Sequence, residues 1–231
     1  MTERETPSVD GLVIGILGGT GDQGRGLARR FALAGHSVII GSRSQERAHA
    51  AAQQVGQEIG NHVRGLANAD AAREASVVIA AVPWEGHGDL LSGLAAELAG
   101  KIVVDCVNPL GFDQRGAYAL PVAEGGPAEG SAAQQAAALL PGSRVVAAFH
   151  HVSAVLLLDP EVDTIDLDVM VLGDDREATD LVQALAARIP GVRGIYAGRL
   201  RNCGQIEALT ANLVSINRRY KAHAGLRVTD I

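Results

Sequence analysis

Aromatic residues make up only 3% of this chain, and it has two cysteines in 231 positions. With so few rings, the core must be built mostly from Ala, Val, Leu and Ile. Cys106 and Cys203 lie far apart, with no C-x-x-C or metal-ligand spacing, which excludes a disulfide scaffold and a cysteine-held zinc. A cytoplasmic protein with reduced thiols is the simplest expectation. No apolar stretch approaches the roughly 20 residues of a membrane span. Met1 to Asp10 is polar and acidic, without the basic start and apolar middle of a secretory signal, and is expected to be a loose leader. Positive charge is not in excess either. A formal net charge of −6 gives no general attraction to nucleic acid or an anionic membrane. No Ser-His-Asp set, carboxylate pair or metal cluster stands out, and the chain has no internal repeat.

What is present is a full complement of core residues, 47% hydrophobic against 20% charged, enough for a complete globular core and a soluble surface. The most informative stretch is Val13-Ile14-Gly15-Ile16-Leu17-Gly18-Gly19-Thr20-Gly21-Asp22-Gln23-Gly24. A β-branched and aliphatic run ends in glycines and passes directly into a helical pattern. Gly19, Gly21 and Gly24 satisfy G-x-G-x-x-G, the fingerprint of a dinucleotide-binding βαβ unit. The turn needs a residue without a Cβ, the pyrophosphate needs close approach to the backbone, and the helix must pack tightly on its strand. The helix N-terminus then offers free N–H groups and partial positive charge to the phosphates.

Strands are expected at 37–40, 63–67, 76–82, 101–107, 144–148, 168–172 and 194–197. Helices are expected at 26–34, 44–59, 68–75, 89–98, 131–140, 177–189 and 201–224. Alternation of this kind implies an α/β fold of Rossmann type: a doubly wound, mostly parallel sheet with a smaller C-terminal helical portion. The division expected is 1–149 for the nucleotide-binding domain and 150–231 for the C-terminal portion. The Pro- and Gly-rich segment 108–130 interrupts the rhythm as an excursion or loop. In the last helix, Ile206, Leu209, Leu213, Ile216 and Tyr220 form a seam suited to core or to a dimer face.

The end of the second strand distinguishes the nicotinamide cofactors. NAD sites place Asp or Glu there to hold the ribose hydroxyls. This chain has Gly41-Ser42-Arg43-Ser44 with Arg47 one helical turn on, and no carboxylate in that position. Two guanidiniums beside a hydroxyl suit the 2′-phosphate of NADP, and Thr20 can add its own hydroxyl. Trp84, the only tryptophan, follows a strand-ending proline and suits either a pocket wall or the core. His150 follows the strand 144–148 on the carboxyl side, where open α/β sheets place their ligands. It is a candidate catalytic residue, orienting a ring or balancing its charge, or else a histidine satisfied by backbone carbonyls. His151 is expected to point the opposite way, against a two-histidine metal site. His36, His49, His62, His87 and His223 are expected at the surface, as are the charges of Arg199 and Arg201.

Gly18 to Gly24, Gly41-Ser42-Arg43, Val82-Pro83-Trp84-Glu85 and Leu209-Thr210 together resemble the NADPH-dependent reductases of coenzyme F420, from about Leu12 to Leu226. The resemblance implies direct hydride transfer between NADP(H) and an 8-hydroxy-5-deazaflavin co-substrate, in a homodimer. It also implies that Gly19, Thr20, Gly21, Asp22, Gln23, Gly24, Ser42, Arg43 and Arg47 line the NADP phosphates and ribose, with Val82, Trp84 and Asn108 flanking the ribose and nicotinamide. His150 to Ala154 and the Thr210 region would face the deazaflavin, completed by residues 150–231. Relatives tend to carry Thr-Ile-Pro after the histidine, where this chain has His151-Val152-Ser153. Two other functions fit the nucleotide fold: a reductase of a small imine or hydroxy acid, and a non-catalytic NADPH sensor.

Overall fold

The computed structural model describes residues 6–231. Its frame is one eight-stranded sheet in the order β10-β9-β8-β5-β4-β1-β2-β3. The strands are β1 (Val13–Leu17), β2 (Ser37–Ser42), β3 (Val63–Ala67), β4 (Val77–Ala80), β5 (Ile102–Asp105), β8 (Arg144–Ala147), β9 (Leu167–Gly173) and β10 (Val192–Gly198). A separate antiparallel pair, β6 (Leu110–Asp113) and β7 (Gly116–Ala119), fills the expected excursion. Every neighbouring pair in the main sheet is parallel except β8 and β9, where Val146 lies opposite Gly173. The C-terminal portion therefore adds two strands to the same sheet as well as helices.

Alternating side chains explain why the central strands are apolar over most of their length. Ile14, Ile16, Val77, Ile79 and Val104 face a core shared with α1 (Asp22–Leu33), α2 (Gln45–Ile59) and α8 (Arg176–Ala186). Leu17, Ile39, Val78 and Val103 face the other core, with α3 (Asn68–Glu74), α4 (His87–Gly93), α5 (Ala95–Leu98) and α6 (Ala132–Leu139). Both faces are covered, as a parallel sheet requires. Small residues bring the layers close: a Cβ on Gly15 would sit 2.7 Å from the Ala75 methyl. Two of the few aromatics meet in the core, Phe31 and Phe149, edge to face at 5.9 Å.

Several boundaries differ from the sequence reading. The helix expected at 89–98 begins at His87 and breaks at Leu94, whose backbone (φ −118°, ψ 12°) leaves the helical range. The apolar run after Ser153 is a short helix, α7 (Ala154–Leu158), which periodicity over five residues cannot distinguish from a strand. Arg30 fixes α7 to α1 by donating to the carbonyl oxygens of Leu157 at 2.9 Å and Val162 at 2.7 Å. The last helix, α9 (Cys203–Tyr220), stops four residues short of the expected 224, because Lys221 turns left-handed at φ 55°. Its buried residues are Cys203, Glu207, Ala211 and Leu213; of the expected seam only Leu213 is buried, Ile206 and Leu209 are half-buried, and Ile216 and Tyr220 are exposed. The leader is not loose throughout. Met1 to Glu5 lie outside the described residues, but Val9 is buried in the core and Asp10 pairs with Arg188 at 3.6 Å. Among the described residues no helix is long and apolar enough to cross a membrane.

Candidate functional site at the carboxyl edge of the sheet

The strand order reverses between β1 and β4, and the turn after β1 opens there, at the switch point where α/β sheets bind ligands. Gly18 is left-handed at φ +66°, and a Cβ on it would collide with Val82 across the switch point at 2.2 Å. Its N–H donates to Asn68 Oδ1 at 3.3 Å, and the Gly19 N–H donates to the Gly41 carbonyl at 3.0 Å. These bonds anchor the turn to the ends of β2 and β3. A Cβ on Gly19 would meet the Ile16 carbonyl at 2.7 Å, and one on Gly24 would meet the Gly19 Cα at 2.5 Å. Gly21 differs, because a Cβ there would meet nothing within 4 Å. No neighbour among the described residues accounts for glycine there, and the open side of the peptide leaves room for the close backbone approach that a pyrophosphate makes in this motif. Gly21 also caps α1 without a side-chain hydrogen bond, so N–H groups of the first turn remain available.

An open cleft of about 810 Å³ runs from this turn along the strand ends. It gathers Thr20, Gly21, Ser42, Arg43, Arg47 and Val82, together with Asn68, which the sequence did not single out. The only sequence signal for Asn68 is its place at a strand-to-helix joint. Arg43 and Arg47 are exposed, and among the described residues neither enters an ion pair. Glu46, the nearest acid in sequence, instead accepts from the Ser44 hydroxyl at 2.6 Å, which holds its carboxyl below the usual range. The cleft thus presents two free guanidiniums and the Ser42 hydroxyl beside a phosphate cradle, a donor set matched to NADP(H).

A second group lies at the carboxyl ends of β5 and β8. The Asn108 amide donates to the His150 carbonyl at 3.1 Å and accepts from the Thr210 hydroxyl at 3.1 Å. The Gln23 amide donates to the Phe149 carbonyl at 3.2 Å. His150 is buried, and neither ring nitrogen has a partner. Burial pushes its pKa down to about 4, and the charge of Asp105 only partly opposes this. In the ligand-free protein the ring is therefore neutral at pH 7 and carries one N–H donor and one acceptor nitrogen. His151 does not point away along a continuing strand, because β8 ends at Ala147. The His151 ring is buried, bonded to the Ile206 carbonyl at 2.6 Å, and 6.3 Å from the His150 ring. Among the described residues no group of three or more metal-ligating side chains converges.

Other expected site residues are placed elsewhere. The Asp22 carboxylate pairs with Arg25 at 2.7 Å. Trp84 stacks on the His87 ring at 5.5 Å and donates to the Gly125 carbonyl at 2.8 Å, in a neighbouring depression rather than the cleft. Ala154 is the half-buried first residue of α7. Two histidines expected at the surface, His36 and His87, are buried. His87 is fully enclosed, with Asp105 at 2.6 Å and Gln135 at 2.9 Å. Burial alone would lower its pKa, but the hydrogen bond and charge of Asp105 outweigh that and raise it. Asp105 also accepts from the Val107 N–H at 3.0 Å, shaping the turn that delivers Asn108. Glu207, also absent from the sequence reading, reaches from α9 to accept the Ala132 and Ala133 N–H groups at the start of α6. Burial raises its pKa to about 7. A lone acid inside a helical pattern carries no sign of such burial.

Comparison with known proteins agrees with this geometry. The family model described as NADP oxidoreductase coenzyme F420-dependent matches residues 13–109, from β1 to the turn carrying Asn108. The F420-dependent NADP reductase of Methanothermobacter marburgensis is 41% identical over 227 residues, which span 95% of this chain and 99% of that protein. A solved structure from Arthrobacter sp. FB24, itself described only provisionally as an F420-dependent NADP reductase, is 28% identical. It superposes with a TM-score of 0.80 over 95% of this chain and 100% of that one. An imine reductase from Bacillus cereus is 17% identical with a TM-score of 0.60, covering 90% of this chain and 62% of that one, a likeness of fold alone. Likeness that runs from end to end, and includes the half beyond the nucleotide cradle, places this chain in the family of F420-dependent NADP reductases.

Proposed function

We propose that this chain is an NADP-dependent oxidoreductase that transfers a hydride between NADP(H) and coenzyme F420, an 8-hydroxy-5-deazaflavin. The observation that carries the reading is 41% identity to an F420-dependent NADP reductase across nearly the whole of both chains. When bound, the two carriers supply the reacting carbons themselves. The protein's part is to bind, orient and exclude water.

The Gly19–Gly24 cradle and the first N–H groups of α1 receive the pyrophosphate. Arg43 and Arg47 hold the 2′-phosphate by charge-assisted hydrogen bonds, with Ser42 and Thr20 adding hydroxyls. Val82 forms an apolar wall at the switch point. The neutral His150 ring offers one hydrogen-bond donor to the second carrier, in the portion of the chain from 150 onward. Trp84 and Ala154 stand outside both groups and have no role in this scheme. The small-imine reductase reading rests on fold likeness alone. A mere NADPH sensor would have no use for a second orphaned polar group beyond the cleft. Two buried free cysteines fit a reducing, cytoplasmic setting. The exposed apolar residues of α9 fit a homodimer face.

Mixing the purified protein with NADP⁺ and reduced F420 should restore the visible absorbance of the oxidised deazaflavin. Unchanged absorbance under saturating carriers would overturn the reading and return the imine-reductase and sensor alternatives.

A further inference from the structure

Phe149 adopts a left-handed backbone at φ 64°, a conformation that residues with a Cβ rarely take. Such a residue persists only where its surroundings over-determine it. Here three side chains do so. The Phe149 carbonyl accepts from Gln23 at 3.2 Å, and the next carbonyl, that of His150, accepts from Asn108 at 3.1 Å. Thr210 donates to Asn108 Oδ1 at 3.1 Å. The His150 carbonyl can only accept, so the Asn108 nitrogen faces it and the amide oxygen is left to take the Thr210 hydroxyl as donor. The Phe149 ring is buried and set edge-on against Phe31. Beyond this turn the His150 ring has no hydrogen bond of its own. Its direction is set by its backbone and packing alone.

We infer that the side chains of Gln23, Asn108 and Thr210 are positioning groups, a clamp on the Phe149–His150 peptides that aims His150, rather than ligands of NADP(H). Family resemblance would assign Gln23 and Asn108 to the nucleotide. In this structure their amide nitrogens face carbonyls of the chain instead. Gln23 comes from the first turn of α1, Asn108 from beyond β5 and Thr210 from α9, so the clamp ties the C-terminal helix to the nucleotide half at one turn. The inference rests on the proposed function only in making the aimed ring serve the deazaflavin.

Gln23→Met and Thr210→Val remove the donors with little change in volume, and Thr210→Ser keeps the hydroxyl. In carrier-free protein, hydrogen–deuterium exchange over residues 149–152 should quicken by about tenfold or more in the first two variants and stay at the wild-type rate in Thr210→Ser. NADP⁺ affinity of Gln23→Met, measured by calorimetry, should remain within about twofold of wild type. Its KM for reduced F420 should rise by about fivefold or more. Unchanged exchange in both Gln23→Met and Thr210→Val overturns the clamp. So does a roughly tenfold loss of NADP⁺ affinity in Gln23→Met, with or without faster exchange. Failure of the hydride-transfer reading would appear separately, as wild-type protein that does not react with reduced F420 while the exchange pattern holds.

Discussion

At the level of single residues, cofactor choice comes down to what stands at the end of β2. Arg43 and Arg47 line the cleft, and the acid nearest to them in sequence, Glu46, is turned towards Ser44. An exposed guanidinium contributes little to folding but much to a phosphate it can fork onto, because charge-assisted hydrogen bonds to phosphate are short and directional. Replacing Arg43 and Arg47 together with Ala should therefore leave the melting temperature near wild type. NADPH affinity should fall by roughly tenfold to a hundredfold for each guanidinium removed, while NADH affinity stays almost unchanged. Equal losses for both cofactors in a fluorescence titration would show that the arginines do not read the 2′-phosphate. This pair was legible in the sequence, because a strand end followed by a helix start leaves little freedom in where its side chains go. His87, Asp105 and Glu207 were not legible. Their roles come from burial between elements distant in the chain, and nothing in their neighbouring residues records that.

Among the elements, β9 shows how the end of the chain is tied down. Antiparallel pairing with β8 reaches only Leu172 and Gly173, so the start of β9 has a free edge on that side. The tail after α9 fills it: the Asp168 N–H donates to the Leu226 carbonyl at 2.7 Å. The buried Asp168 carboxylate accepts from the Val228 N–H at 2.6 Å, and Arg193, opposite it on β10, donates two bonds of 2.7 Å. The Arg193 hydrogen bond is the chief cause holding the Asp168 carboxyl down at about 2. A folded pKa below the unfolded value near 3.8 gives stability that is present above pH 4 and lost as pH falls towards 2. The difference is roughly 2 kcal/mol. Asp168→Asn should lower the unfolding free energy from urea denaturation at pH 7 by about that amount and lose much of the further drop expected of wild type between pH 4 and 2. An undiminished acid drop in the variant would refute the assignment. Alternation and length revealed the sheet strands. They missed the hairpin of β6 and β7, whose four-residue strands carry glycine and exposed positions, and the five-residue α7.

For the whole molecule, one of the places where a single copy leaves large apolar side chains uncovered is the outside of α9. The seam of five apolar positions at helical spacing suits either core or a dimer face, and within one copy only Leu213 of the five is buried, beside Cys203, Glu207 and Ala211. Ile216 remains 40% exposed and Tyr220 73% exposed, and Phe112 of the hairpin, whose second strand packs on α9, is 71% exposed. Large apolar side chains left in solvent on one side of a helix cost free energy in a monomer and are the usual mark of an association face. A two-fold pairing would bury the same residues from both copies, so one substitution acts twice. Ile216→Asp with Tyr220→Asp should then convert the protein from dimer to monomer in sedimentation equilibrium, with little change in far-ultraviolet dichroism. Both side chains already meet solvent within one copy, so folding of the single chain does not depend on them. A wild-type protein that sediments as a monomer, or a double variant that remains a dimer, would move the association face away from α9.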